Sequence, residues 1–286
     1  MRWLYLLLIA FSGAAFACGS PAADASRIAI AGGSITEVVY FLGEESRIVA
    51  VDTTSNYPAQ ALELPSVGYV RSLSTEGLLS LNPSLILGED DMGPPAVLAQ
   101  IEQAGVETIR LSEVHTADGI VDKVRCIAQI IGAEQRADRL IETQLADAVD
   151  ALSAFSQGST SRPRVAVVLG LRDGVPLGAG RETSGHGLID MASGENVFAD
   201  FEGWKPISIE AMVAADPDFI IVPQRGVDEA GGPESLLSHP GLRLTTAARE
   251  GNLIAMDGMS MLGFGPRTLG TALELASELH RSPDNN

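Results

Sequence analysis

Residues 117–155 read ADGIVDKVRCIAQIIGAEQRADRLIETQLADAVDALSAF. Apolar side chains recur at Ile120, Val124, Ile127 and Ile131, and again at Leu140, Ile141, Leu145 and Val149. That is the spacing of an amphipathic helix. No strand pattern interrupts the stretch, and Gly132 alone punctuates it. The pattern predicts a linking helix over 134–156, about 30 Å long at roughly 1.5 Å per residue, enough to cross a small domain.

Outward from this stretch the pattern changes on both sides. Upstream, Arg27-Ile-Ala-Ile-Ala31 is a short apolar run that stops at Gly32-Gly33-Ser34, and residues 48–51, 85–87 and 107–111 repeat the signal. Downstream, residues 165–169, 219–222 and 253–256 do the same. Strands alternating with helical patterns predict parallel sheets covered on both faces. The expected fold is α/β: two Rossmann-like lobes joined by a single long backbone helix. The first lobe spans 18–133, the linking helix 134–156 and the second lobe 157–286.

The halves also resemble each other. Ser74-Thr-Glu76 precedes Asn82-Pro83-Ser-Leu-Ile86, and Ser208-Ile-Glu210 precedes Asp216-Pro217-Asp-Phe-Ile220, with the same spacing from Ser to Glu to Pro to Ile. Each segment reads as a capped helix, a turn at Pro and then a strand, so a duplicated lobe plan is expected.

Before the first lobe, Arg2, the apolar residues 3–12 and Ala15-Phe16-Ala17 have the layout of a secretory signal peptide over 1–17. The expectation is an exported periplasmic chain. A lipid anchor at Cys18 is the alternative, although Ala15 and Phe16 match a lipobox poorly. Cys126, inside an apolar helical pattern, reads as a small core residue. A bridge between the two cysteines has no positive support in the sequence.

The formal charge is −18. Such a body repels nucleic acid and anionic lipid, so an anionic ligand must meet a few placed arginines. No second membrane-spanning run occurs. The four histidines (His115, His186, His239, His280) lack the close spacings of a zinc site. There is no Gly-x-Ser-x-Gly elbow and no phosphate-binding Walker loop. An enzyme is not expected.

The segment Leu64-Pro-Ser-Val-Gly-Tyr69-Val-Arg71-Ser-Leu-Ser-Thr-Glu76-Gly, together with Asp52, Ser55-Asn-Tyr57-Pro58, Ala179-Gly180-Arg181, Gly203-Trp204-Lys205-Pro206 and Leu262-Gly263-Phe264-Gly265-Pro266-Arg267, resembles the helical-backbone solute-binding proteins. These serve importers of haem, cobalamin and ferric siderophores, and the Gly-Tyr-x-Arg segment is similar to the haem-binding branch. The resemblance implies a ligand cleft between the lobes and haem as the transported ligand. It also implies an ABC permease dimer, with its ATPase, as partner. A carrier of cobalamin or a ferric siderophore is the alternative. Where some haem-binding relatives carry a second-lobe His, this chain has Gly170-Leu171-Arg172-Asp173.

Residue types alone leave Tyr69 either a packing residue or an iron donor. The resemblance makes it the haem iron ligand, since ferric iron favours phenolate and a guanidinium stabilises that anion. Arg71 could bond the phenolate or clamp a propionate, and Arg225, just past a strand end, is a second propionate candidate. Tyr57, Trp204, Met259, Met261 and Phe264 are candidates for the apolar walls, with the methionines in contact rather than coordination. Glu76 and Glu210, at matching places in the repeated segments, are the candidate docking charges for the permease.

Overall fold

The computed structural model describes Cys18 and residues 20–281. The expected signal peptide lies outside the described residues. The first lobe is built on β1 (Ile28–Ala31), β2 (Ile48–Val51), β3 (Leu85–Glu89) and β4 (Glu107–Leu111), ordered β2-β1-β3-β4 and parallel throughout. β1 and β3 are apolar runs because helices and loops bury both of their faces.

The helix Ala117–Ile131 ends at Gly132, which takes a left-handed conformation at φ 72°. That is the chemistry of a glycine C-cap. Helix resumes as Glu134–Leu140, passes through one π-helical turn at Ile141–Leu145 and continues as Ala146–Gly158. The linking helix thus runs two residues beyond the expected end.

The second sheet has the order β10-β9-β5-β6-β8, where β5 is Arg164–Arg172, β6 Val175–Ala179, β8 Trp204–Pro206, β9 Phe219–Pro223 and β10 Leu253–Met256. A short β7 (Glu195–Asn196) pairs with β5. β5, β7, β9 and β10 pair in parallel, whereas β6 is antiparallel to both of its neighbours, β5 and β8. The second sheet is therefore mixed, where the first is wholly parallel. Its reversal occurs at Asp173-Gly174, both at positive φ, the signature of a tight hairpin turn.

The repeated segments fold alike. Ser74 accepts from Gly77 N–H at 3.3 Å and Ser208 from Ala211 N–H at 3.1 Å, capping the helices Thr75–Leu79 and Ile209–Ala215. Asn82 and Asp216 then turn the chain at φ 46° and 34°, and β3 and β9 follow in interior sheet positions.

One apolar cluster runs beneath the first sheet, along the linking helix and into the helices Ser184–Met191 and Pro266–Leu279 of the second lobe. The lobes therefore share a core. Cys126 is buried within it, but not as a free thiol. It forms a disulfide with Cys18, across 108 residues, with Cα atoms 5.2 Å apart. Its apolar surroundings gave no sign of a partner so distant in sequence. Among the described residues, no helix is long and apolar enough to cross a membrane.

Candidate functional site

The carboxyl ends of parallel strands open onto loops, and ligands of such sheets bind there. Beyond β1, β3 and β4 lies a cavity of about 460 Å³ between the lobes. The first lobe contributes Arg71, Glu89, Asp90, Asp91, Glu113 and His115 to it. The second contributes Glu182, Thr183, Ser184, Trp204 and Leu262.

Tyr69 stands in the loop at residues 68–72. Gly68 at φ 89° turns the chain, and Ser72 N–H donates to Tyr69 carbonyl at 2.7 Å. The phenol is 44% exposed, and Arg71 Cζ lies 5.9 Å from its ring centroid. The guanidinium is not free, however. Its Nε and Nη2 donate to Asp91 Oδ2 at 2.6 and 2.5 Å, and this bonding raises the Arg71 pKa.

The floor is acidic. Ser34 Oγ donates to Glu89 Oε1 at 3.4 Å or Glu113 Oε1 at 3.3 Å, and buried Lys123 donates to Glu113, to Ser34 Oγ and to Gly263 carbonyl. Burial first, then the charge of Glu113, pushes Glu89 up to about 8 against the pull of Lys123. Burial also pushes Glu113 upward, but His115 and Lys123 outweigh it and hold the carboxyl below its ordinary range. His115 packs edge-on against Phe264 at 4.8 Å and sits 3.6 Å from Glu113.

Asp52 explains its motif. It is buried and accepts from Gly32 N–H at 3.2 Å, Thr54 N–H at 3.1 Å and Ser55 Oγ at 2.9 Å. It thereby pins the turn after β1 to the loop that carries Tyr57.

The expected wall residues separate. Trp204 lines the cleft, and Met259 is partly buried with its methyl close over Gly33 and Gly263. Met261 and Phe264 are fully buried, so they present no surface to a ligand and leave the wall set. Phe264 adopts φ 50°, a costly backbone for an aromatic residue, and the packed lobe junction holds it there. Tyr57 lies under Arg267, 3.6 Å from Cζ to ring centroid, and lines a different pocket with Tyr40 and Phe41. Arg225 does not line the cavity. It begins the helix Gln224–Glu229 with an 88% exposed side chain bonded to Glu229. Glu76 and Glu210 are both exposed in first turns of their helices, and bonds to its own N–H and to Ser208 lower the Glu210 pKa. His186 is engaged by Asn196 and Asp190.

Sequence reasoning missed Glu89, Asp91, Glu113, His115 and Lys123. Three of them carried a signal: Glu89 ends an apolar strand run, and Glu113 and His115 follow the next strand, where ligands of such sheets sit.

A family model described as "Periplasmic binding protein" matches residues 28–259. The solved periplasmic haem-binding protein RhuT from Roseiflexus sp. RS-1, in apo form, superposes with a TM-score of 0.83 at 36% sequence identity, covering 92% of this chain and 98% of that chain. The uncharacterized ABC transporter substrate-binding lipoprotein YvrC of Bacillus subtilis is 24% identical over 253 residues, 86% of this chain and 77% of that protein. A vitamin B12-binding protein of Vibrio cholerae is 29% identical over 197 residues, 67% of this chain and 68% of that protein.

Proposed function

We propose that this chain, which belongs to the periplasmic binding protein family, captures haem between its lobes outside the cytoplasm and delivers it to the permease dimer and ATPase of an ABC importer. Its work is binding and delivery, not catalysis, and residues 1–17 direct its export. The observation that carries the reading is Tyr69, a half-exposed phenol on a glycine-turned loop beside Arg71, the residue of that loop that lines the interlobe cavity. The likeness to a solved haem-binding protein over nearly the whole chain supports it.

Haem needs an axial donor, apolar contact and an answer to two propionates. Tyr69 phenolate is the donor, because ferric iron is a hard acid and a nearby guanidinium stabilises the anion. Arg71 supplies that field while Asp91 holds it in place. Trp204, Leu262 and the exposed part of the partly buried Met259 supply apolar contact. The acidic floor turns the propionates toward solvent, and Arg225, outside the cavity lining and paired with Glu229, stays the second-lobe candidate to meet them.

A second reading has its own support. Glu89, Asp90, Asp91, Glu113 and Glu182 face the cavity, against Arg71 and His115. This lining repels carboxylates but accepts hydrogen bonds from amides, which favours a corrinoid such as cobalamin. Titration of the purified protein with ferric haem and with cyanocobalamin separates the two. Haem binding with a high-spin tyrosinate spectrum, and no retention of the corrinoid, is expected. Retention of the corrinoid alone would replace haem by cobalamin.

A further inference from the structure

We propose that Cys18 is the covalent end of an N-terminal strap fastened to Cys126, and that it is therefore not a lipid-bearing cysteine. The inference stands apart from the identity of the ligand. A lipid anchor attaches through a thioether at cysteine sulfur. A disulfide uses the same valence, so one sulfur cannot carry both.

The segment that follows Cys18 is held as a strap. Ala22 N–H donates to Ile130 carbonyl at 3.0 Å, one turn beyond Cys126 on the same helix. Ala23 N–H donates to Glu107 Oε2 at 2.8 Å at the start of β4. The Arg27 guanidinium donates to Leu81 and Asn82 carbonyls at 2.7 and 2.8 Å. Cys18, Ala22 and Ala25 are partly buried against the main core. The bonds therefore lead from the helix Ala117–Ile131 past β4 to β1, all on the first lobe. An anchor requires a tether that leaves the body, whereas this segment is bound along it. The poor lipobox at Ala15-Phe16-Ala17 agrees with the geometry.

Formation of the bond needs an oxidant, here the disulfide of a thiol–disulfide oxidoreductase met after export. One thiolate of the chain attacks that disulfide, giving a mixed disulfide and releasing one thiol of the oxidant. The second thiolate of the chain then displaces the oxidant's other sulfur. Two electrons pass to the oxidant, which leaves as a dithiol, and the protons come from the two cysteines.

The test uses the full chain, expressed with its own leader and recovered from the exported fraction. Intact mass should show Cys18 present and without acyl groups, rising by the mass of two hydrogens on reduction. An alkylating probe should label no cysteine before reduction and two after it. In Cys126→Ser, the remaining Cys18 should become labelled without reduction. An acylated Cys18, two thiols labelled without reduction, or a mature chain starting after Cys18 would each overturn the proposal.

Discussion

Lys123 Nζ donates to the carbonyl of Gly263 at 3.2 Å, so an ammonium buried in the first lobe is bonded to the backbone of the second. The same nitrogen is paired with Glu113 and accepted by Ser34. A buried charge of this kind adds little net stability against an apolar substitute, but removal of one partner leaves the other uncompensated. Lys123→Ala is therefore expected to cost about 3–5 kcal/mol. Urea unfolding measures it, and the double variant with Glu113→Gln should recover part of the loss. Equal stability of Lys123→Ala and the parent would show that the junction does not depend on this contact.

Glu89 gives the fold a pH dependence of unusual sign for a carboxylate. Burial, then Glu113, raises it from 4.5 to about 8 in the folded chain. Between those values the unfolded chain binds fewer protons at this site than the folded one, so stability from Glu89 falls as pH rises through the window. It is fully present below about 4.5 and lost above about 8. Urea midpoints measured across that range should decline less steeply in Glu89→Gln than in the parent. Parallel curves would mean that Glu89 titrates as an ordinary exposed acid.

The proposed iron donor is separable from His115, the imidazole that lines the interlobe cavity. Tyr69→Phe removes only the oxygen, so it should abolish a tyrosinate-type haem spectrum while leaving the aromatic contact. Affinity should fall on the order of tenfold or more if the lost interaction has the strength of a charged hydrogen bond. His115→Ala should leave the spectrum in place. A spectrum that survives Tyr69→Phe and is lost in His115→Ala would move the donor role to the imidazole.

The alternating strands and the long helix were legible because periodicity is a local property, and so was the repeat of Ser-x-Glu before an Asx-Pro turn. The antiparallel half of the second sheet was not read, since Pro176 and Gly178 thin the strand signal of β6. The hairpin residues Asp173 and Gly174 were nonetheless in plain view. The motif at Leu262 to Arg267 was visible, but its part in joining the lobes was not. Phe264 and Arg267 join the lobes, with Arg267 bonded to Glu37 across 230 residues of chain. Nothing near Glu37 announces that partner. The same limit hid the floor of the cleft: Ser34, Glu89, Glu113 and Lys123 meet only after four separate elements have packed.

Glu76 and Glu210 carry the last expectation, docking onto the permease. Each is exposed in the first turn of a short helix whose Ser cap occupies the matching place in its lobe. The duplicated plan thus presents one carboxylate per lobe, suited to a permease built of two subunits. Both acids also favour their own helix starts, and Glu210 bonds to its own N–H and to Ser208. A purely local role predicts only a small loss of stability on substitution. Exposed ion pairs contribute about 0.2–1 kcal/mol each, so docking would gain register and specificity more than affinity. The double variant Glu76→Arg/Glu210→Arg separates the two roles in a reconstituted importer. Haem binding and thermal stability should remain close to the parent, while transport and carrier-stimulated ATP hydrolysis collapse. Normal transport by the double variant would leave both residues as helix-start acids and place the docking surface elsewhere.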